Sequence, residues 1–377
     1  MLIRNICLLQ KGMEIPHVSV TYNQRIQTIE KYKGTLKEGP DWDGYYLVPG
    51  FVDVHIHGAA GYDTCDNTKD SLREIENYLY SKGVTRFLPT TLSIPHDQIV
   101  SILETVRAYM QAYENTSIVG VHLEGPYLNP EKKGAHQESL IRPFCQDEWN
   151  SLLQYLDLIR IITLAPEIPE NSMMIPLLRK EGVHVSIGHT NATYGQCLQA
   201  IDQGADRFTH LFNAMGGLHH REPSASGAGL LTKAFVELVC DRLHVCEGMI
   251  RLVFQAKDPD QIVLITDSMR ATGLPHGTYT LGELEVQVGP DGCRLADGTL
   301  AGSTLTMDQA LKNVREITGL SLSKIIGSAT ATPANSAGLE EGWIDLGQPA
   351  DMAILSPDLT VVATIKGGKT VFGALHP

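Results

Sequence analysis

The sequence predicts an α/β protein: a (β/α)8 TIM barrel joined to a small β-sandwich-like domain built from both chain ends. Three observations predict it. From Phe51 onward, eight short apolar runs rich in β-branched residues alternate with segments of helical periodicity. Residues 1–50 and 340–377 instead carry short alternating strands and turns. The chain has 377 residues, 43% of them hydrophobic, enough for a barrel of about 250 residues and a satellite.

The eight expected barrel strands are Phe51–Ile56, Val84–Leu88, Ile118–Leu123, Ile159–Leu164, Val183–Ile187, Arg207–His210, Phe235–Cys240 and Ile262–Thr266. The segment His96–Tyr113 typifies the connections, because Ile99, Ile102, Leu103, Val106 and Met110 recur at helical spacing and would cover the sheet. Helices are also expected over Thr306–Ile317 and Leu322–Ala329. The end strands expected are His17–Val20, Ile26–Ile29, Asp351–Leu355, Val361–Ile365 and Lys369–Phe372. Neither end alone has enough strands for a stable sheet, so the two should pair. The barrel domain is then expected to span residues 51–339.

Thirty Lys and Arg against 43 Asp and Glu give a net charge of −13, which repels nucleic acid and anionic lipid, so neither is expected as a partner. An anionic small substrate must find a locally positive pocket. Seven scattered cysteines form no C-x-x-C pair, as in a reducing cytoplasmic setting. The N-terminus carries Arg4 and Asn5 within its apolar stretch, so no signal-peptide core is expected. No run reaches the roughly 18 apolar residues of a membrane span.

Barrel enzymes keep their chemistry at the C-terminal ends of the strands. The first strand ends in Asp53-Val54-His55-Ile56-His57, and period-two alternation throws both imidazoles to the same side. The third runs into His122-Leu123-Glu124, the fifth into Gly188-His189, the sixth into Thr209-His210 and the eighth into Thr266-Asp267. A lone histidine on a strand is usually structural. Imidazoles and a carboxylate converging from several strands instead make a divalent site suited to zinc, iron or manganese.

These motifs, with Gly125-Pro126 and Leu211-Phe212-Asn213-Ala214-Met215 following them, Leu300-Ala301-Gly302-Ser303-Thr304 and Gly347-Gln348-Pro349-Ala350-Asp351, resemble the amidohydrolase superfamily. His-Leu-Glu-Gly-Pro and His-Leu-Phe-Asn-Ala-Met point within it to the N-acetylglucosamine-6-phosphate deacetylase family. The resemblance implies that Glu124, His189 and His210 hold one essential divalent metal, and that His55 and His57 can complete a second site. It also implies that Asn213, Ala214 and Arg221 receive the phosphate of an amino-sugar substrate, and that His136 and His244 contact the sugar and its acetamido group. A homodimer is implied as well. One segment departs from the pattern, because Cys240-Asp241-Arg242 stands where the family has Ala-Asp-Gly, and Arg enters positive φ less readily than Gly.

The reaction so implied is hydrolysis of N-acetyl-D-glucosamine 6-phosphate to D-glucosamine 6-phosphate and acetate. Asp267 would shuttle the proton from water to the leaving amine, and His244 with the metal would hold the oxyanion. Asp267 could instead be structural, as a helix cap or a partner of Arg270. Alternatives for the whole chain are deacetylation of the galactosamine or mannosamine epimer, cyclic-amide hydrolysis or deamination, and a non-catalytic metal-binding barrel. His219, His220, Lys132 and Lys133 carry no motif-based role.

Overall fold

The computed structural model describes residues 1–34, 39–339 and 342–375. Eight parallel strands form the barrel: Phe51–Ile56, Val84–Thr91, Val121–Glu124, Ile159–Leu164, His184–Ile187, Arg207–Phe208, Phe235–Val239 and Ile262–Ile265. They hydrogen-bond in chain order, first beside second through to seventh beside eighth. Past the eighth strand the chain returns to the first, with Asp267 N–H donating to the His55 carbonyl at 2.9 Å and His57 N–H to the Ser268 carbonyl at 2.9 Å. That closes the barrel next to the residues of interest.

The longer connecting helices bury one stripe on the sheet, whereas the short Ser224–Leu231 is buried almost all round. In His96–Ala112 the buried residues are Ile99, Ile102, Leu103, Val106 and Tyr109, as the helical spacing requires. Lys69–Tyr80 begins at a capping box in which Thr68 and Ser71 exchange side-chain to backbone bonds. Met307–Thr318 and Leu322–Ile325 fall within a residue of their expected starts, the latter continuing as a 3-10 turn over Ile326–Ala329.

The chain ends do pair, forming one seven-stranded sheet. Its spatial order is Lys369–Gly373, Val361–Lys366, Met352–Leu355, Tyr46–Pro49, Leu2–Gln10, Met13–Tyr22 and Ile26–Lys31. Ile26 N–H donating to the Gln348 carbonyl and Ala350 N–H to that of Gln24 tie its far strand back to the C-terminal segment. The enclosed core includes Ile6, Val20, Trp42, Met352 and Ile365. Two of its central strands, Leu2–Gln10 and Tyr46–Pro49, were not among those expected. In the first, alternation is broken by register shifts around Ile6 with Asn5 at φ +57°, so period-two reading fails. The expected boundary at residue 340 lies outside the described residues.

A further antiparallel sheet of Gly277–Leu281, Leu284–Gly289 and Gly292–Arg294 follows the eighth barrel strand. It has no counterpart among the sequence expectations, and it carries residues into the mouth of the barrel. Among the described residues no helix is long and apolar enough to cross a membrane.

Candidate active site and metal centre

At the C-terminal mouth lies a cavity of about 440 Å³ whose lining includes His57, Glu124, His136, His189, His210, His244 and Asp267. Strand ends supply the deepest of these. His189, His210 and Asp267 take φ values of +47°, +28° and +49°, at points where the chain leaves the sheet abruptly. Such conformations cost of order 1–3 kcal/mol each and persist only when the surroundings over-determine them.

One half of the cluster is tight. Glu124 Oε1 is 3.2 Å from His189 Nε2 and 3.0 Å from His210 Nε2, and the two nitrogens are 3.1 Å apart. A tetrahedral ion with bonds near 2.0–2.1 Å holds its ligand atoms about 3.3 Å from one another, so these three atoms fit one divalent metal. His189 Nδ1 lies 2.8 Å from the Lys132 carbonyl, which places its proton there and leaves Nε2 to ligate.

The other half is looser. His57 Nε2 is 3.2 Å from Glu124 Oε2 and 3.3 Å from Asp267 Oδ1. His55 Nε2 is 3.5 Å and 3.6 Å from the same two atoms, and it is a buried atom without a hydrogen-bond partner. An unpartnered ring nitrogen facing two carboxylates also suits a cation. His55 Nδ1 is 3.0 Å from Glu237 Oε2, and the fully buried Arg207 pairs with Glu237 at 2.5 Å. Burial would raise the Glu237 carboxyl, but Arg207 and His55 hold it down to about 2.

Neighbouring histidines are sorted by their bonds. His122 is engaged through both nitrogens, with Thr163 Oγ1 at 2.8 Å and the Val54 carbonyl at 3.1 Å, so it has none to offer a metal. His136 accepts the Ser93 N–H at Nδ1, 3.0 Å away, which leaves the proton on Nε2, 3.4 Å from Glu124 Oε2. Burial and the charges of His189 and His57 push this ring down to about 4, against the pull of Glu124. It is a neutral donor aimed at the cluster. Burial alone would lower His244 too, but Asp241 Oδ2 at 2.6 Å raises it.

Burial likewise favours a protonated Asp267, yet the His57 hydrogen bond and the charges of His55, His57 and His210 hold it below the ordinary carboxylate range. Its structural alternative with Arg270 is not realised, because that guanidinium bonds Asp66 at 2.8 Å. Arg242 takes φ +72° despite its side chain. The turn forms because Asp241 Oδ1 accepts the N–H groups of Leu243 and His244, each at 2.8 Å.

Asn213 and Ala214 line the cavity, joined by Lys132 and Arg294. Arg221 does not line it: its guanidinium is exposed and bonds His220 at 2.9 Å. Sequence reasoning missed Glu237, Arg207, Arg294 and the hairpin residue Leu281. For Glu237 a signal existed, since a carboxylate inside an apolar strand run must be paired when buried.

An amidohydrolase family model matches residues 46–371. The chain belongs to that family. Over 99% of its length it is 35% identical to the N-acetylglucosamine-6-phosphate deacetylase of Bacillus subtilis, covering 97% of that protein. It is 38% identical to the N-acetylgalactosamine-6-phosphate deacetylase of Escherichia coli O157:H7, over 85% of this chain and 86% of that one. Among solved structures, the Mycobacterium smegmatis N-acetyl-D-glucosamine-6-phosphate deacetylase, an aspartate-to-alanine mutant in complex with N-acetyl-D-glucosamine-6-phosphate, superposes with a TM-score of 0.94 at 31% identity, covering 98% and 99% of the two chains. The amidohydrolase fold and the carboxylate-histidine cluster together define a divalent-metal hydrolase.

Proposed function

We propose that the protein is an N-acetylglucosamine-6-phosphate deacetylase, releasing acetate from N-acetyl-D-glucosamine 6-phosphate in amino-sugar catabolism. The observation that carries the reading is an ionised Asp267 within 3.3 Å of His57, beside the Glu124–His189–His210 triangle, in a chain with full-length deacetylase relatives.

Glu124, His189 and His210 would hold the essential ion, zinc, iron or manganese, with His55 and His57 available to a second; when bound, such an ion supplies Lewis acidity for water and the amide carbonyl. Asp267 takes a proton from the attacking water and returns it to the leaving amine, which departs only once protonated. The fixed Nε2–H of His136 supports assigning it, rather than His244, as the donor to the developing oxyanion. His244, its ring held by Asp241 at 2.6 Å, is left to the sugar. Asn213 and Ala214, which line the cavity, would meet the phosphate, while Arg221 reaches a phosphate only if its loop leans over a cavity, its own or that of a second copy. We read the enzyme as a cytoplasmic homodimer, in keeping with its seven unpaired cysteines and its resemblance.

The test is acetate release, in metal-supplemented buffer, from the 6-phosphates of N-acetylglucosamine, N-acetylgalactosamine and N-acetylmannosamine. The glucosamine compound should be fastest. The second reading, galactosamine preference, is kept alive by the 38% identity to a deacetylase of that epimer, and a reversed ranking would establish it. No release from any of the three overturns the function.

A further inference from the structure

Behind the catalytic cavity lies another of about 260 Å³. Leu92, Ala135, His136 and Leu281 line both, so the wall between them is one side chain thick. Ile94, Pro95, Leu140 and Leu284 give the rear cavity an apolar part, while Asp66, Gln98, Gln137, Arg270 and Glu283 line the rest. The hairpin joining Gly277–Leu281 to Leu284–Gly289 forms part of its rim. Nothing in the acetate-releasing hydrolysis described above uses this space.

We propose that the rear cavity is an acyl subsite, and that the enzyme also hydrolyses glucosamine 6-phosphates whose N-acyl group is longer than acetyl, such as N-butyryl. The inference rests on the function proposed above. Three substituents leave the scissile carbon, and the walls sort them. The carbonyl oxygen belongs beside the metal ligands and the Nε2–H of His136. The nitrogen must reach Asp267, and the sugar phosphate follows it toward Lys132, Asn213, Ala214 and Arg294, which also line the cavity. The acyl carbon is left facing the apolar side, at Leu92, Ala135 and Leu281, directly before the rear cavity. That cavity is far larger than the roughly 30 Å³ of a single water. Each methylene moved from water into it favours binding about fourfold.

The reaction is unchanged in its balance. Water's oxygen joins the acyl carbon, the carbon–nitrogen bond breaks, one water proton passes through Asp267 to the amine, and the other is lost as the carboxylic acid ionises. The products are glucosamine 6-phosphate and the longer carboxylate.

The experiment compares kcat/KM for the N-acetyl and N-butyryl substrates in the wild type and in two variants that fill the rear cavity from outside the catalytic machinery, Leu284→Trp and Gln98→Trp. Gln98 is exposed on its helix, so its replacement leaves the fold intact even where the Leu284 change does not. The wild type should handle N-butyryl within about tenfold of N-acetyl, and filling should lower the N-butyryl value at least tenfold while N-acetyl stays within about twofold. A wild type active on N-acetyl but inert to N-butyryl overturns the subsite alone. Filling variants with an unchanged ratio of the two substrates overturn it too. Inactivity toward N-acetyl itself overturns the proposed function and this inference with it.

Discussion

The floor and the rim of the catalytic cavity are built by different rules. On the floor, Glu124, His189, His210, His55, His57 and Asp267 are all buried, and several are fixed by a further bond behind them, such as Lys132 behind His189 and Glu237 behind His55. On the rim, Arg221 is exposed with its guanidinium against His220 at 2.9 Å, and Arg242 spans outward to Glu316 at 2.6 Å. A displaced floor residue leaves charges uncompensated at low dielectric, whereas a displaced rim residue is replaced by water. Floor substitutions should therefore act on chemistry, on metal binding or on both, and rim substitutions on selectivity or not at all.

The largest effect should come from Glu124→Gln. Size is kept, but the negative charge that five imidazoles face within 3.5 Å is lost. Since changing a residue merely behind a ligand costs 10–100-fold in metal affinity, this change should exceed about 100-fold and abolish turnover, as read by metal analysis after dialysis. Asp267→Asn comes next. It should keep its metal and its melting temperature while kcat falls about 10²–10⁴-fold. Retention of more than about a tenth of wild-type kcat would undercut the shuttle and its ~10² minimum.

Glu237→Gln probes the floor one layer down. It leaves Arg207 buried and without its carboxylate, so the melting temperature should drop, as breaking a buried pair costs about 3–5 kcal/mol. The folded enzyme should bind metal at the His55 side about 10–100-fold more weakly. Undiminished affinity in titrations of the apoenzyme would show that Glu237 supports only the fold.

The legibility of these layers in the sequence follows the range of the forces involved. The barrel strands and His55, His57, Glu124, His189, His210 and Asp267 were readable because alternation and position at a strand end are local properties. Glu237 and Arg207 were not, since each lies within or beside an apolar run and is explained by a partner thirty residues away, at 2.5 Å. The strand Leu2–Gln10 was hidden by its own bulge. The sheet over Gly277–Arg294 was missed although its alternating burial is of the kind that sequence patterns reveal. Roles were harder than positions. His136 and His244 both reach the cavity, but only the hydrogen bond from Ser93 N–H separates a ring with its proton on Nε2 from the ring paired with Asp241.

On the rim, Arg221→Ala should lower the preference for phosphorylated over unphosphorylated substrate about tenfold, the lower end of the 1.5–3 kcal/mol of a charged hydrogen bond, because the side chain is exposed. Metal content should not move. An unchanged preference would assign the phosphate to the Asn213 and Ala214 loop with Lys132 or Arg294.

The smallest effect should be that of Arg242→Gly, although it restores the glycine of the family pattern. At φ +72° an L-residue is disfavoured by about 1–2 kcal/mol, which glycine removes. Against that gain, glycine loosens the unfolded chain by about 0.4–1 kcal/mol. It also deletes pairs to Glu316 at 2.6 Å and Glu247 at 3.4 Å, each an exposed contact contributing about 0.2–1 kcal/mol. The opposing terms nearly cancel, so stability should change by less than about 1 kcal/mol in denaturant titration. His244 should stay where it is, since its turn is held by Asp241 Oδ1 accepting two backbone N–H groups at 2.8 Å, and neither bond involves residue 242. The value of kcat/KM should accordingly remain within about twofold. A loss beyond tenfold would mean that the rim conformation is transmitted through Asp241 and His244 to the floor, and the division between the two regions would fail at that turn.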